Sequence, residues 1–269
     1  MNQREYTGNY VEISTDALVR NARAVVDAVN VPVIGVVKFD GYGVTLPVAA
    51  KAWQSAGVTI FAVSESWEAL ALRQAGFTED ILLLAPVADR QTLHSLLEQD
   101  IILTVCDLDN ARFYSANRGE KTPRVHVKVD TGMGRFGVRA EDTQQLIAIY
   151  NVEGLVFEGI FSHFGKSFEK TYKLTKQQLE RFLTAVQALE NAGIRVGTRH
   201  IANSCAALRF PETRLDAVRI GSALVGSLLI STPVKLEKVH TFYAQVVARK
   251  FLKKGDTMGY ASVCRRKRI

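Results

Sequence analysis

Short apolar runs rich in Val and Ile recur along the chain, separated by stretches with helical spacing. The runs cover residues 31–37, 60–64, 81–85, 101–106, 125–129, 158–164, 196–202 and 217–224. Most are apolar on both faces, as buried parallel strands are. Between them the spacing predicts helices over 18–29, 46–56, 67–74, 90–98, 143–150 and 174–192. Ser14-Thr15-Asp16 offers the first helix an N-cap, and Gly193 stops the last. Eight strand–helix alternations predict an α/β fold, a (β/α)8 TIM-type barrel. A doubly wound open sheet is the alternative; it needs fewer strands, and no G-x-G-x-x-G follows the first one. After residue 239 the pattern changes. Residues 242–251 alternate loosely, 253–256 read as a turn and 257–263 as another strand. This predicts the start of a β-strand domain, which a strand over 10–13 can join. The expected division is a barrel over 12–235, with a partial β-domain from 1–11 and 236–269.

Composition narrows the picture. Of 269 residues, 47% are apolar and 23% charged, which is globular and ample for one sizeable core. The formal charge of +7 invites a polyanion partner. Its distribution argues otherwise. The last 21 residues hold eight basic side chains against Asp256 alone, and the first 248 are neutral. Nucleic-acid binding therefore has little to stand on, with only Tyr243 and Tyr260 near the basic end to stack on bases. No run approaches a membrane span, and the first six residues carry no secretory apolar stretch. Cys106, Cys205 and Cys264 are odd in number and widely spaced, without a zinc or disulfide pattern. A cytoplasmic protein without metal is expected.

Barrel chemistry is done at the C-terminal ends of strands. There the sequence places Lys38, then Lys128 and Arg135, then His163, then Asn203-Ser204, then Arg219 and Gly221. A lysine at a strand end suggests Schiff-base chemistry; alone it reads more readily as half of an ion pair. Asn203-Ser204 beside Gly221 suits a phosphate, or is an ordinary helix cap. His163 is a proton relay or a satisfied core histidine. Together, a phosphate site, a lysine and cationic groups suggest a phosphorylated carbonyl cofactor, for which pyridoxal 5'-phosphate fits best.

Here the motifs become recognisable. Val36-Val37-Lys38 followed by Tyr42-Gly43 resembles the cofactor-lysine motif of alanine racemases. The run His126-Val127-Lys128-Val129-Asp130-Thr131-Gly132-Met133-Gly134-Arg135 is similar to their barrel motif. Asn203-Ser204-Cys205-Ala206-Ala207, Val218-Arg219-Ile220-Gly221 and Gly259-Tyr260 match in the same order. The resemblance implies an amino-acid racemase that interconverts L- and D-alanine with two bases. Lys38 would hold the cofactor and act on one face, and Tyr260 from a partner subunit on the other. Arg219 would face the pyridine nitrogen, with His163 linking it to the tyrosine. Arg135 would contact the cofactor phenolate oxygen and the substrate carboxylate, and Lys128 is a carbamylation candidate. Tyr42, Ser204, Gly221 and Ser222 would bind phosphate, beside Asn203. The family implies a homodimer and a C-terminal β-domain of which this sequence holds the beginning, so weak activity is expected. Phe39-Asp40-Gly41, Val44 and Gly165-Lys166-Ser167 depart from the usual motifs. They leave open serine or another amino acid as substrate, and a non-catalytic pyridoxal-phosphate-binding barrel as the alternative function.

Overall fold

The computed structural model describes residues 8–169 and 171–260. It divides into two compact units, one of residues 14–239 and one formed by the segments on either side. In chain order the strands are β1 (Tyr10–Ile13), β2 (Val33–Val36), β3 (Ile60–Val63), β4 (Asp80–Leu83), β5 (Leu103–Val105) and β6 (Arg124–Asp130). They continue as β7 (Val138–Arg139), β8 (Val156–Phe161), β9 (Thr198–His200), β10 (Val218–Ile220) and β11 (His240–Tyr243).

The larger unit is a closed parallel barrel. β10-β2-β3-β4 and β5-β6-β8-β9 form two parallel arcs, with the short β7 beside β6. The parallel bridges Leu82↔Ile102 and His200↔Ala217 join the arcs at both seams. All eight expected strands are present, each within or overlapping its apolar run. Closure leaves no edge among them to pair with another chain.

The helices between strands form where capping and apolar spacing agree. Thr15–Val29 starts at Ser14, whose Oγ accepts the N–H of Ala17 at 3.2 Å, and buries Leu18, Ala22, Val25 and Val29 at helical spacing. The nine-residue helix Leu108–Ala116 was not among those expected. Its signal was the cap, since Asp107 accepts the N–H of Asn110 at 2.7 Å. Its apolar periodicity is weak, burying only Ala111 and Tyr114.

The barrel interior is asymmetric. Ile34, Val36, Ala62, Leu82, Ile102 and Ala217 pack into one apolar cluster drawn mainly from β2 to β5. Across from it, β6, β9 and β10 bury His126, Lys128, His200 and Arg219. Gly159 on β8 makes this possible, because a Cβ there would strike the His126 ring. Among the described residues no helix is long and apolar enough to cross a membrane.

In the smaller unit β1 and β11 pair antiparallel, from Tyr10↔Tyr243 to Ile13↔His240, with the two tyrosine rings stacked at 4.8 Å. The strand expected over 242–251 ends at Tyr243 instead, where β1 stops offering partners. Lys253 and Thr257 are bridge residues around a turn at Lys254-Gly255. The end of the strand expected over 257–263 lies outside the described residues.

Candidate active site

The C-terminal ends of the barrel strands surround a cavity of about 430 Å³. Lys38, Tyr42, Lys128, Arg135, His163, Asn203, Ser204, Arg219, Gly221 and Ser222 all line it. Ten expected site residues from five strand ends thus converge. The eleventh, Tyr260, lies in the smaller unit, with its side chain fully exposed. A larger open groove of about 930 Å³, along Asp130 to Gly134 and Arg139 to Gln144, holds none of them.

Lys38 follows β2 on one strained turn. Phe39, Asp40, Gly41 and Tyr42 all adopt left-handed conformations, with φ of 54°, 49°, 66° and 58°. For the three that are not glycine this costs roughly 1–2 kcal/mol each. Part is offset locally: Asp40 Oδ1 accepts the N–H of Leu46 at 2.7 Å, and its carbonyl accepts that of Thr45 at 3.0 Å. The turn delivers Lys38 to the cavity and lays the Tyr42 hydroxyl against Gly221, where a Cβ would collide with it. Burial, then the Glu68 carboxylate, pushes the Tyr42 phenol up to about 12, so it is a neutral donor. Burial and the Arg135 cation lower the Lys38 amine from its ordinary value, and Glu68 opposes them.

Arg219 is the centre of the polar half. It is 4% exposed, and no carboxylate among the described residues pairs with it. One terminal nitrogen donates to His200 Nδ1 at 2.9 Å and to the His200 carbonyl at 3.0 Å. The other donates to His163 Nδ1 at 3.1 Å and to the carbonyls of Ser162 and Ile201. A guanidinium can only donate, so both Nδ1 atoms accept and both protons sit on Nε2. His200 Nε2 then donates to His126 Nδ1 at 2.9 Å. Burial and the Arg219 charge hold His163 and His200 well below the usual imidazole range and bring His126 to about 4. Three neutral rings therefore surround one cation, itself lowered to about 9 by burial and by Arg135. It remains charged at neutral pH.

Lys128 lies on the same wall, donating to the Val129 carbonyl at 2.7 Å. Burial, with Arg219 and Arg135, pulls its amine to about 7. The turn carrying Arg135 is built on Asp130, whose Oδ1 accepts the N–H groups of Gly132, Met133 and Gly134 at 2.9, 2.9 and 3.1 Å. Ser204 is buried, its Oγ accepting the N–H groups of Gly221 and Ala223 at 3.3 and 3.4 Å. Asn203 caps the short helix Ser204–Arg209, accepting from Ala206 N and from the Ser167 hydroxyl at 2.7 Å.

Sequence reasoning missed the roles of His126 and His200 around Arg219. A signal existed: His126, Lys128 and Asp130 place a polar group at every second position of a buried strand. Glu68 was missed as well; it is 1% exposed and its Oε2 accepts from Ser64 N and Glu65 N.

Comparison with known proteins gives this geometry its context. Residues 13–228 match the family model for the N-terminal domain of alanine racemase. Alanine racemase 1 of Caldanaerobacter subterraneus subsp. tengcongensis is 33% identical over 270 residues, 96% of this chain and 69% of that protein. Alanine racemase of Desulforamulus reducens is 38% identical over 224 residues, 81% of this chain and 60% of that protein. The chain thus spans 60% to 69% of the length of these two relatives. Among solved structures, alanine racemase from Bacillus anthracis with bound L-Ala-P superposes with a TM-score of 0.84 at 31% identity, covering 95% of this chain and 69% of that one. A histidine racemase from Leuconostoc mesenteroides subsp. sake superposes with a TM-score of 0.81 at 26% identity, covering 96% of this chain and 71% of that one. Matched along nearly all of its barrel in sequence and in fold, the chain belongs to the alanine racemase family.

Proposed function

We propose that this chain binds pyridoxal 5'-phosphate in the barrel cavity and takes part in racemising a small amino acid, with alanine the first candidate. The observation that carries the reading is the carboxylate-free Arg219 cation facing the same cavity as Lys38. The donor set fits the cofactor. The Arg219 Nε–H donates to no described residue and suits a ring nitrogen. The Tyr42 hydroxyl, the Ser204 hydroxyl, and Gly221 and Ser222 suit a phosphate, next to the Asn203 cap. When bound, the cofactor supplies the electron sink that makes an α-proton removable.

The protein's own residues do the rest. Lys38 holds the cofactor through its amine and moves the α-proton on one face. Its lowered affinity for protons leaves more of it neutral, as both tasks need. Arg219 opposes protonation of the ring nitrogen, restraining side reactions. His163, with its proton on Nε2, extends that network toward the cavity. Arg135 is placed to hold an anionic oxygen. Lys128, half neutral near pH 7, can add carbon dioxide; the anion so formed would orient Arg135 instead of repelling it. Tyr260 is carried over as the second base, offered to a second copy of the chain in a cytoplasmic homodimer. The Gly259-Tyr260 match and the exposure of that ring support this. The histidine racemase likeness supports a second reading, in which the substrate is an amino acid other than alanine.

The test is cofactor incubation followed by α-proton exchange in deuterated solvent. Visible absorption and exchange with L- or D-alanine are expected. Absorption without exchange of alanine, serine or histidine would leave a cofactor-binding barrel, and no absorption contradicts both readings.

A further inference from the structure

Phe39 departs twice from what its position favours. Its φ of 54° crowds any side chain larger than hydrogen, and its ring is 66% exposed. A bulky apolar group held in a strained and wet position is a local conflict of the kind found at functional sites. The conflict has a geometric counterpart. Lys38 Nζ lies over the Phe39 ring, 4.9 Å from its centroid. The face of an aromatic ring is negative and attracts an ammonium far more than a neutral amine.

We propose that Phe39 is a positioning residue for Lys38, its ring holding the amine over the turn and favouring the protonated form. This rests on the reading of Lys38 as the amine that moves the α-proton. Other groups face Lys38 from several elements. Arg135, after β6, disfavours its charge as burial does, and Glu68, in the helix after β3, favours it. His163, after β8, is a neutral ring that feels the Lys38 charge, and Tyr42 on the same turn is a neutral phenol. Phe39 sides with Glu68. The ring does little for the amine before it takes a proton and stabilises it afterwards, so it acts on the state that follows proton removal. A small residue at this position has no such face to offer.

The test uses the full chain without cofactor, so that it reads Lys38 whether or not the protein racemises anything. Acetic anhydride labelling of Lys38 is followed across pH by peptide mass analysis in the wild type, Phe39→Leu, Phe39→Trp and Phe168→Leu. Phe168 lines the cavity from a different strand end. Phe39→Leu is expected to lower the labelling midpoint, raising the rate below it about two- to fivefold, the equivalent of ~0.5–1 kcal/mol. Phe39→Trp should keep or raise the midpoint, and Phe168→Leu should leave it in place. An unchanged midpoint in Phe39→Leu overturns the proposal, as does an equal shift in Phe168→Leu. Should Phe39→Leu fail to fold, a lowered midpoint in Phe39→Trp overturns it.

Discussion

Two arginines sit on the barrel wall and are held in opposite ways. Arg124, where β6 begins, meets Glu158, Asp80 and Asp100 at 2.7, 2.8 and 3.1 Å. The hydrogen bond it donates to Glu158 and the pairing with Asp80 outweigh burial and hold its guanidinium above the ordinary range. Arg219, in β10, is more deeply buried and among the described residues meets only imidazoles and carbonyls. Burial pulls it down to about 9. The fold thus neutralises a cation where the strands start and keeps an unneutralised one near where they end. Leaving a buried charge unpaired costs stability, so it persists where something other than folding requires it. The pair separates scaffold from site by chemistry alone.

Four experiments break or sharpen this contrast. The largest effect is expected for Arg219→Met. Proton exchange with the best substrate should fall ~10²–10³-fold, the usual consequence of removing a preorganised donor. The denaturation midpoint should fall only modestly, since relief of the buried cation offsets part of the cost of leaving two imidazole nitrogens and three carbonyls without their donor. A large loss of stability with exchange retained would reverse the assignment. Arg124→Met should do the opposite. Removing the shared partner of three partly exposed carboxylates should cost about 1–2 kcal/mol in urea unfolding, while folded protein binds cofactor as before.

Next comes Lys128, which shares the unneutralised region. Its folded value of about 7 lies below the ordinary lysine value, so between them the unfolded chain binds the extra proton. Stability should therefore rise with pH above about 7, by up to ~1.4 kcal/mol per pH unit, and the penalty is fully present below it. Lys128→Met should flatten that slope in carbonate-free buffer; a slope equal to the wild type's would contradict the burial argument. The smallest effect is expected for Asp80→Asn. One of three partly exposed carboxylates is removed from Arg124, and the loss in urea unfolding should stay below ~1 kcal/mol.

The contrast also explains what was legible in the sequence. Strands buried on both faces read as Val- and Ile-rich runs, so all eight barrel strands could be located. Site residues that end strands inside recognisable motifs, such as Lys38, Arg135 and Arg219, could be named. His200 could not, because its role depends on the ring being brought beside Arg219 and His126 by strand pairing. The left-handed turn after Lys38 was equally hidden, since Phe39 and Tyr42 have no intrinsic preference for it. Residues 244–251 show why alternation alone misleads: without a partner strand in the described chain, they form none.

The central claim is that the cavity holds pyridoxal 5'-phosphate on Lys38. Borohydride reduction of the protein incubated with cofactor, followed by peptide mass mapping, tests it directly. The account predicts one reduced adduct per chain, on the peptide containing Lys38, and none at that level in Lys38→Ala. Adducts scattered over surface lysines, or an undiminished adduct in Lys38→Ala, would contradict it.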